Sequence, residues 1–159
     1  MLNDYHFITH WRVRGSVKEV IDILGDAEDL PRWWPSVYID VKKGGNIVEL
    51  YTKGWLPYTL RWSFRVLENR ENGFIIEAFG DFVGGGEWIL TQSGENVDIT
   101  YDWHIRAEKR LLKLFSPILK PIFAANHRWA MARGEESLKI ELARRHGEPH
   151  GEPPQATFR

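Results

Sequence analysis

The stretch Val97-Asp-Ile-Thr-Tyr-Asp-Trp-His-Ile105 runs directly into Arg106-Ala-Glu-Lys-Arg-Leu-Leu-Lys-Leu-Phe-Ser-Pro-Ile-Leu-Lys-Pro-Ile-Phe123, and the change of period between them decides the fold. In the first part Val97, Ile99, Tyr101, Trp103 and Ile105 alternate with Asp98, Thr100, Asp102 and His104. That is a strand with one covered and one wet face. After Arg106 the period turns helical. Pro117 and Pro121 lack the amide hydrogen a helix interior needs, which predicts a broken or kinked start over 109–120. From Pro121 to Arg145 only Gly134 interrupts, so the pattern predicts a C-terminal helix of about 25 residues, ~37 Å long at 1.5 Å per residue.

Upstream, the same alternation recurs. Tyr58, Leu60, Trp62, Phe64 and Val66 face one way, and Thr59, Arg61, Ser63 and Arg65 the other. Strands are predicted at about 36–42, 46–53, 57–67, 73–80, 84–92 and 96–106, punctuated by Gly- and Asn-rich turns. A first strand is expected over 5–13, with Phe7, Thr9, Trp11 and Val13 on one face. Ser16 with Glu19 has capping-box spacing and opens a short helix carried by Val17, Val20, Ile21 and Leu24. A second short helix covers about 27–33 and stops at Trp33-Trp34-Pro35. Consecutive strands without intervening helices exclude βαβ winding and indicate an α+β domain. About seven antiparallel strands would curve around the last helix, the one element long enough to cover their apolar face. Residues 1–145 therefore read as a single domain. His146-Gly-Glu-Pro149 and His150-Gly-Glu-Pro153 repeat within a polar 146–159 segment that reads as a disordered tail.

Composition narrows the function. The 159 residues contain no cysteine, which excludes a disulfide scaffold, a thiolate metal site and a cysteine nucleophile. Lys and Arg number 21 against 22 Asp and Glu, which argues against a nucleic-acid partner. No apolar run reaches the ~20 residues of a membrane span, and Met1-Leu2-Asn3-Asp4 lacks a signal-peptide core, so the expected location is cytoplasmic. The informative number is the aromatic share of 13%, with eight Trp. Each ring buries roughly 150–250 Å², so the chain has either a very aromatic core or a lined cavity.

In this setting Trp11-Arg-Val-Arg-Gly-Ser-Val-Lys-Glu-Val-Ile-Asp-Ile-Leu24 resembles the first-strand-into-helix entry of the START/SRPBCC superfamily. Asp29-Leu-Pro-Arg-Trp-Trp-Pro35 is similar to that family's Trp-containing turn before the second strand. Together with the element order, the resemblance covers about residues 4–145 and is closest to polyketide cyclase/dehydrase-like bacterial proteins. It implies a helix-grip fold with a cavity between sheet and long helix for apolar or amphipathic molecules.

Chemistry-bearing motifs are sparse. There is no Gly-x-Ser-x-Gly, no phosphate-binding glycine loop and no His-Glu-x-x-His. Gly84-Gly85-Gly86 reads as a bulge or tight bend. His6 and His10 lie ~13 Å apart along a strand, too far to share a metal, and no metal or cofactor is expected. Pairing across the 93–96 turn sets Glu87 opposite Asp102, with His104 on the same face; this reads as a solvated charge ladder on the outside of the sheet.

The expected function is binding of a small hydrophobic or lipid-like ligand. The candidate contacts are Tyr58, Trp62, Phe64, Trp88, Tyr101 and Trp103 on the sheet, and Ile122, Asn126 and Trp129 on the helix, where Asn126 shares a face with the other two. Trp34 and Trp55 are expected on loops near a mouth. Two alternatives stay open. One is a polyketide cyclase- or dehydratase-type enzyme, for which Tyr58, Tyr101, His127 and Arg133 are the few inward titratable candidates. The other is a docking module using the basic and apolar segment 109–123 against a membrane surface or protein.

Overall fold

Alternation places the strands, and a computed structural model, which describes residues 3–157, shows how they pair. The elements are β1 (Asp4–Arg14), α1 (Val17–Gly25), a 3-10 turn (Ala27–Asp29), α2 (Leu30–Trp33), β2 (Tyr38–Gly44), β3 (Ile47–Lys53), β4 (Thr59–Arg70), β5 (Gly73–Gly80), β6 (Phe82–Ser93), β7 (Asn96–Ala107) and α3 (Arg110–Arg145). One seven-stranded antiparallel sheet has the order β1-β7-β6-β5-β4-β3-β2, so the first strand closes against the last. The expected strands, the two short helical segments and the long terminal helix are all present. Strand β4 shifts register between Val66 and Glu68, and β2 between Tyr38 and Asp40, which are places where a sheet bends.

Local chemistry explains the punctuation. Ser16 Oγ accepts from the Glu19 amide at 3.2 Å, and Glu19 Oε1 accepts from the Ser16 amide at 2.9 Å, the reciprocal cap expected from their spacing. Gly84–Gly86 is not a bulge: its ladders to β5 and β7 run in continuous register. A Cβ on Gly86 would stand 2.8 Å from ring atoms of both Tyr101 and Trp103. The glycine therefore lets those rings lie flat on the sheet.

The outer face carries the charge ladder. Glu87 faces Asp102 in the register, and each carboxylate has its own counter-group. Arg70 reaches Glu87 at 2.8 Å, and His6 reaches Asp102 at 2.7 Å. Such exposed pairs are worth about 0–1 kcal/mol each, so they offset repulsion rather than hold the sheet.

Helix α3 departs from expectation at its start. It is one 36-residue helix that continues through Pro117 and Pro121. Each proline removes the donor for the carbonyl four residues earlier, Lys113 and Pro117. Both prolines face solvent, where those carbonyls can bond water. On the inner side Ser116 is fully buried, bonds to the Leu112 carbonyl and pairs with the Tyr5 hydroxyl at 2.7 Å, tying this part of the helix to β1.

The other end of α3 is anchored by Glu141, whose side chain is 3% exposed. It accepts from Arg32 at 2.7 Å, Arg144 at 2.8 Å and Arg145 at 2.8 Å, fastening α2 to α3. Burial alone would raise its pKa, yet the three guanidinium groups outweigh burial and hold the carboxyl well below the usual carboxylate range. Past Gly147 the chain forms no helix or strand through Thr157. His146 pairs with Glu19. The last two residues of the expected disordered tail, 158 and 159, lie outside the described residues.

Candidate ligand-binding cavity

The inner face of the sheet is a row of touching rings. Trp88 stacks on Tyr101 with centroids 4.0 Å apart, Tyr101 on Trp103 at 5.5 Å, and Trp103 meets Trp62 at 5.5 Å. Trp11 joins Trp88 at 5.4 Å and Trp34 at 5.6 Å. Because α3 is a cylinder laid on a curved surface, the width of the gap depends on side chains meeting from both sides. At the C-terminal half of α3 the gap is full. A Cβ on Gly134 would lie 2.3 Å from Trp34, so the glycine admits that indole, and Leu138 beside it is 0% exposed.

Toward the middle of α3 a cavity of about 110 Å³ remains. Its floor is Leu60, Trp62, Tyr101 and Trp103, and Phe123, Asn126, His127 and Ala130 form the helix wall. Lys53, Gly54 and Tyr58 close one side, and Tyr5 and Phe7 of β1 another. Asn126 works as a strap. Its Oδ1 accepts from the backbone amides of Trp55 at 2.7 Å and Leu56 at 3.1 Å, holding the β3–β4 loop against the helix. Gly54 makes the approach possible, since a Cβ there would sit 2.4 Å from Asn126 Oδ1. The ring of Tyr58 meets Phe123 edge-on at 6.2 Å in a second bridge between loop and helix.

The titratable groups of the wall are biased toward neutrality. His127 stacks on Phe7 at 4.1 Å, and its Nε2 is buried without a hydrogen-bond partner among the described residues. Burial, followed by the neighbouring Arg128 charge, pushes its pKa down to about 4. Burial likewise raises the Tyr38, Tyr58 and Tyr101 phenols and lowers the Lys53 ammonium. Lys53 is 7% exposed, and no Asp or Glu is among the described residues lining the cavity. The arrangement is apolar with a few aimed polar groups, the usual make-up of a small-molecule site.

Of the residues expected as contacts, Trp34, Tyr58, Trp62, Tyr101, Trp103 and Asn126 line the cavity. Trp34 is not at a mouth: it is 2% exposed and deep in the core. Phe64, Trp88 and Trp129 do not line it; Trp88 is used up in stacking between Trp11 and Tyr101. Ile122, one turn before Asn126, is 43% exposed and is not among the residues lining the cavity. Trp55 stays on its loop, 46% exposed, and touches the site only through its backbone amide. Arg133 is absent from the lining and pairs with Glu136 at 3.2 Å. Pattern reasoning misses Lys53 because strand alternation puts Thr52 inside and Lys53 outside. In the structure both are buried as β3 ends and turns toward α3 at Gly54. That glycine, beside the strand end, is the available signal.

This architecture is the helix-grip fold of START-like and polyketide cyclase-like proteins. It is similar to a Thermus thermophilus protein at TM-score 0.71 with 14% identity, over 87% of this chain and 99% of that one. It is similar to the Zhui aromatase/cyclase of Streptomyces sp. R1128 at TM-score 0.65 with 18% identity, over 90% and 96%. A START superfamily protein of Mycobacterium smegmatis matches at TM-score 0.59 with 12% identity, over 84% and 98%. No protein-family model matches the sequence. No curated protein matches it by sequence either. Among the described residues no helix is long and apolar enough to cross a membrane.

Proposed function

We propose that the protein binds a small hydrophobic molecule between its sheet and α3. The observation that carries this reading is the aromatic cavity beside a gap that is otherwise tightly filled. Protein interiors pack to a density of about 0.75, so a void of this size next to stacked tryptophans is unusual. Its volume is close to that of the ~150 Å³ engineered cavity that takes up benzene, and well under the ~300–1,000 Å³ of drug-sized sites. As it stands it suits one ring or a short chain; a larger guest requires the first third of α3 to lift. Native mass spectrometry of freshly purified protein tests the reading. An apolar adduct is expected on the wild type and absent from Ala130→Phe, which fills the cavity from the helix. A bare mass, with no saturable uptake of small aromatics by the wild type, would overturn it.

A cyclase- or dehydratase-type enzyme is the second reading, favoured by the His127 ring nitrogen and by the likeness to the Zhui aromatase/cyclase fold. The balance goes to binding because a base of pKa about 4 is poorly matched to proton abstraction near pH 7. Docking to a membrane surface has its own support: Leu111, Leu114, Phe115, Ile118 and Ile122 are all exposed on the N-terminal part of α3. Lys109 and Lys113 beside them are already paired with Asp81 and Glu108, so contact would rest on the apolar ridge more than on charge. Vesicle co-sedimentation that is lost in Leu114→Asp with Ile118→Asp would support this reading, and its absence from the wild type would remove it.

A further inference from the structure

The cavity wall spends most of its polar atoms on itself. Asn126 Oδ1 holds two loop amides, and the same side chain bonds the Tyr58 hydroxyl. Thr52 Oγ1 accepts from Trp62 Nε1 at 3.1 Å, and the Tyr5 hydroxyl is taken by Ser116 at 2.7 Å. Lys53 is engaged as well, so the described wall holds no spare ammonium. Two hydroxyls stand apart. Tyr38 and Tyr101 both line the cavity, and neither oxygen has a hydrogen-bond partner among the described residues. Each ring is fixed by its neighbours: Tyr38 meets Trp34 edge-on at 5.0 Å, and Tyr101 lies between Trp88 at 4.0 Å and Trp103 at 5.5 Å. Gly86 leaves room for the Tyr101 oxygen too, since a Cβ there would stand 2.9 Å from it. The two phenols are near enough for a charge on Tyr38 to be felt at Tyr101, and burial raises the pKa of both, so both are neutral at pH 7.

Building on the reading of the cavity as a ligand site, we infer that its guest is a small neutral molecule with a single hydroxyl or keto oxygen, held at that oxygen by the Tyr38 and Tyr101 hydroxyls with its apolar body against Trp62 and Trp103. The oxygen of an alcohol, phenol or ketone has two lone pairs and can accept from two O–H groups at once. A buried hydroxyl without a partner costs free energy, which such a guest recovers and a hydrocarbon does not. A carboxylate of the same size loses far more hydration than two uncharged donors return, so the site favours a neutral guest. Because packing already fixes both tyrosine rings, little side-chain freedom is lost when the guest arrives. The stacked indoles supply affinity without selecting a guest, and the two hydroxyls supply the selection.

The experiment uses the full chain at pH 7 and three probes of similar size, phenol, toluene and benzoate, compared by isothermal titration calorimetry. A cavity with no partner for the hydroxyl would prefer toluene over phenol by roughly 10- to 100-fold. Here phenol is expected to bind at least as tightly as toluene, and benzoate at least roughly 10-fold more weakly than phenol. Tyr38→Phe and Tyr101→Phe each remove one oxygen and keep the ring. Each should weaken phenol by roughly 5- to 10-fold and leave toluene within about 2-fold, which also reports that the variant is folded. A wild type that takes toluene at least 10-fold more tightly than phenol would overturn the inference while leaving ligand binding intact. Phenol affinity that survives both substitutions would overturn it as well, and so would benzoate binding more tightly than phenol. Failure of all three probes to bind, together with a bare mass in native mass spectrometry, would remove the ligand-binding reading itself.

Discussion

Beneath the C-terminal half of α3, Gly134 and Ser137 let Trp34 and its neighbours fill the gap to the sheet, whereas beneath its middle, Asn126, His127 and Ala130 face open space. The same helix covers the same sheet in both places, and both floors are aromatic. The difference therefore lies in how helix residue size matches the rings below. Small residues over a large ring give a packed core. A mid-sized polar pair over a glycine-flattened floor leaves room. The lesson is that an aromatic face does not by itself make a pocket; the pocket appears where the volumes on the two sides fail to add up.

The largest effect is expected at the filled end. Leu138→Ala removes a 0% exposed side chain and should cost about 3–5 kcal/mol in urea unfolding. Met131→Ala, at a residue that already borders the cavity, should cost only about 1–2 kcal/mol, because part of its surface has no neighbours to lose. Equal losses would mean that the two ends are packed alike. Next in size is the anchor at Glu141. Glu141→Gln should cost about 2–3 kcal/mol at neutral pH by weakening charged hydrogen bonds. The folded pKa of Glu141 is depressed, so its contribution is fully present above the ordinary value of 4.5 and is lost as pH falls below it. Wild-type stability should therefore drop more steeply than that of Glu141→Gln in a thermal-melt series from pH 6 down to pH 3.

A third test links the two ends. Gly134→Ala places a methyl against Trp34, whose indole also lines the cavity, so that ring must shift. The expected loss is about 1–2 kcal/mol of stability, with weaker uptake of small aromatics by calorimetry. Unchanged uptake would show that the filled end and the cavity are independent. The smallest effect is expected far from both: Ser16→Ala removes one half of the α1 cap and should cost about 1 kcal/mol without touching ligand binding.

Much of the architecture is legible because it is local. Alternation assigns Val97 through Ile105 and Tyr58 through Phe64 to faces whatever they pack against, and the Ser16–Glu19 cap needs only three residues of spacing. The proline-bearing start of α3 is misread by pattern alone, because tolerance of Pro117 and Pro121 depends on which side of the helix meets water. The site is half legible. Trp62, Tyr101 and Trp103 follow from parity, while Lys53 breaks parity at a strand end, and Trp34, expected at a mouth, lies deep because Gly134, a hundred residues later, makes a slot for it. Ile122 and Asn126 share a helix face in projection, yet one faces solvent and the other the cavity.

The sequence by itself determined that this chain is an α+β domain with seven strands, one long covering helix and a single aromatic face, since period and turn chemistry act over a few residues at a time. Only the tertiary structure decided where rings touch one another and where they surround space. That outcome is a difference between volumes contributed by distant segments, such as Gly86 under Tyr101, Gly134 beside Trp34 and Gly54 against Asn126, and no local pattern records it.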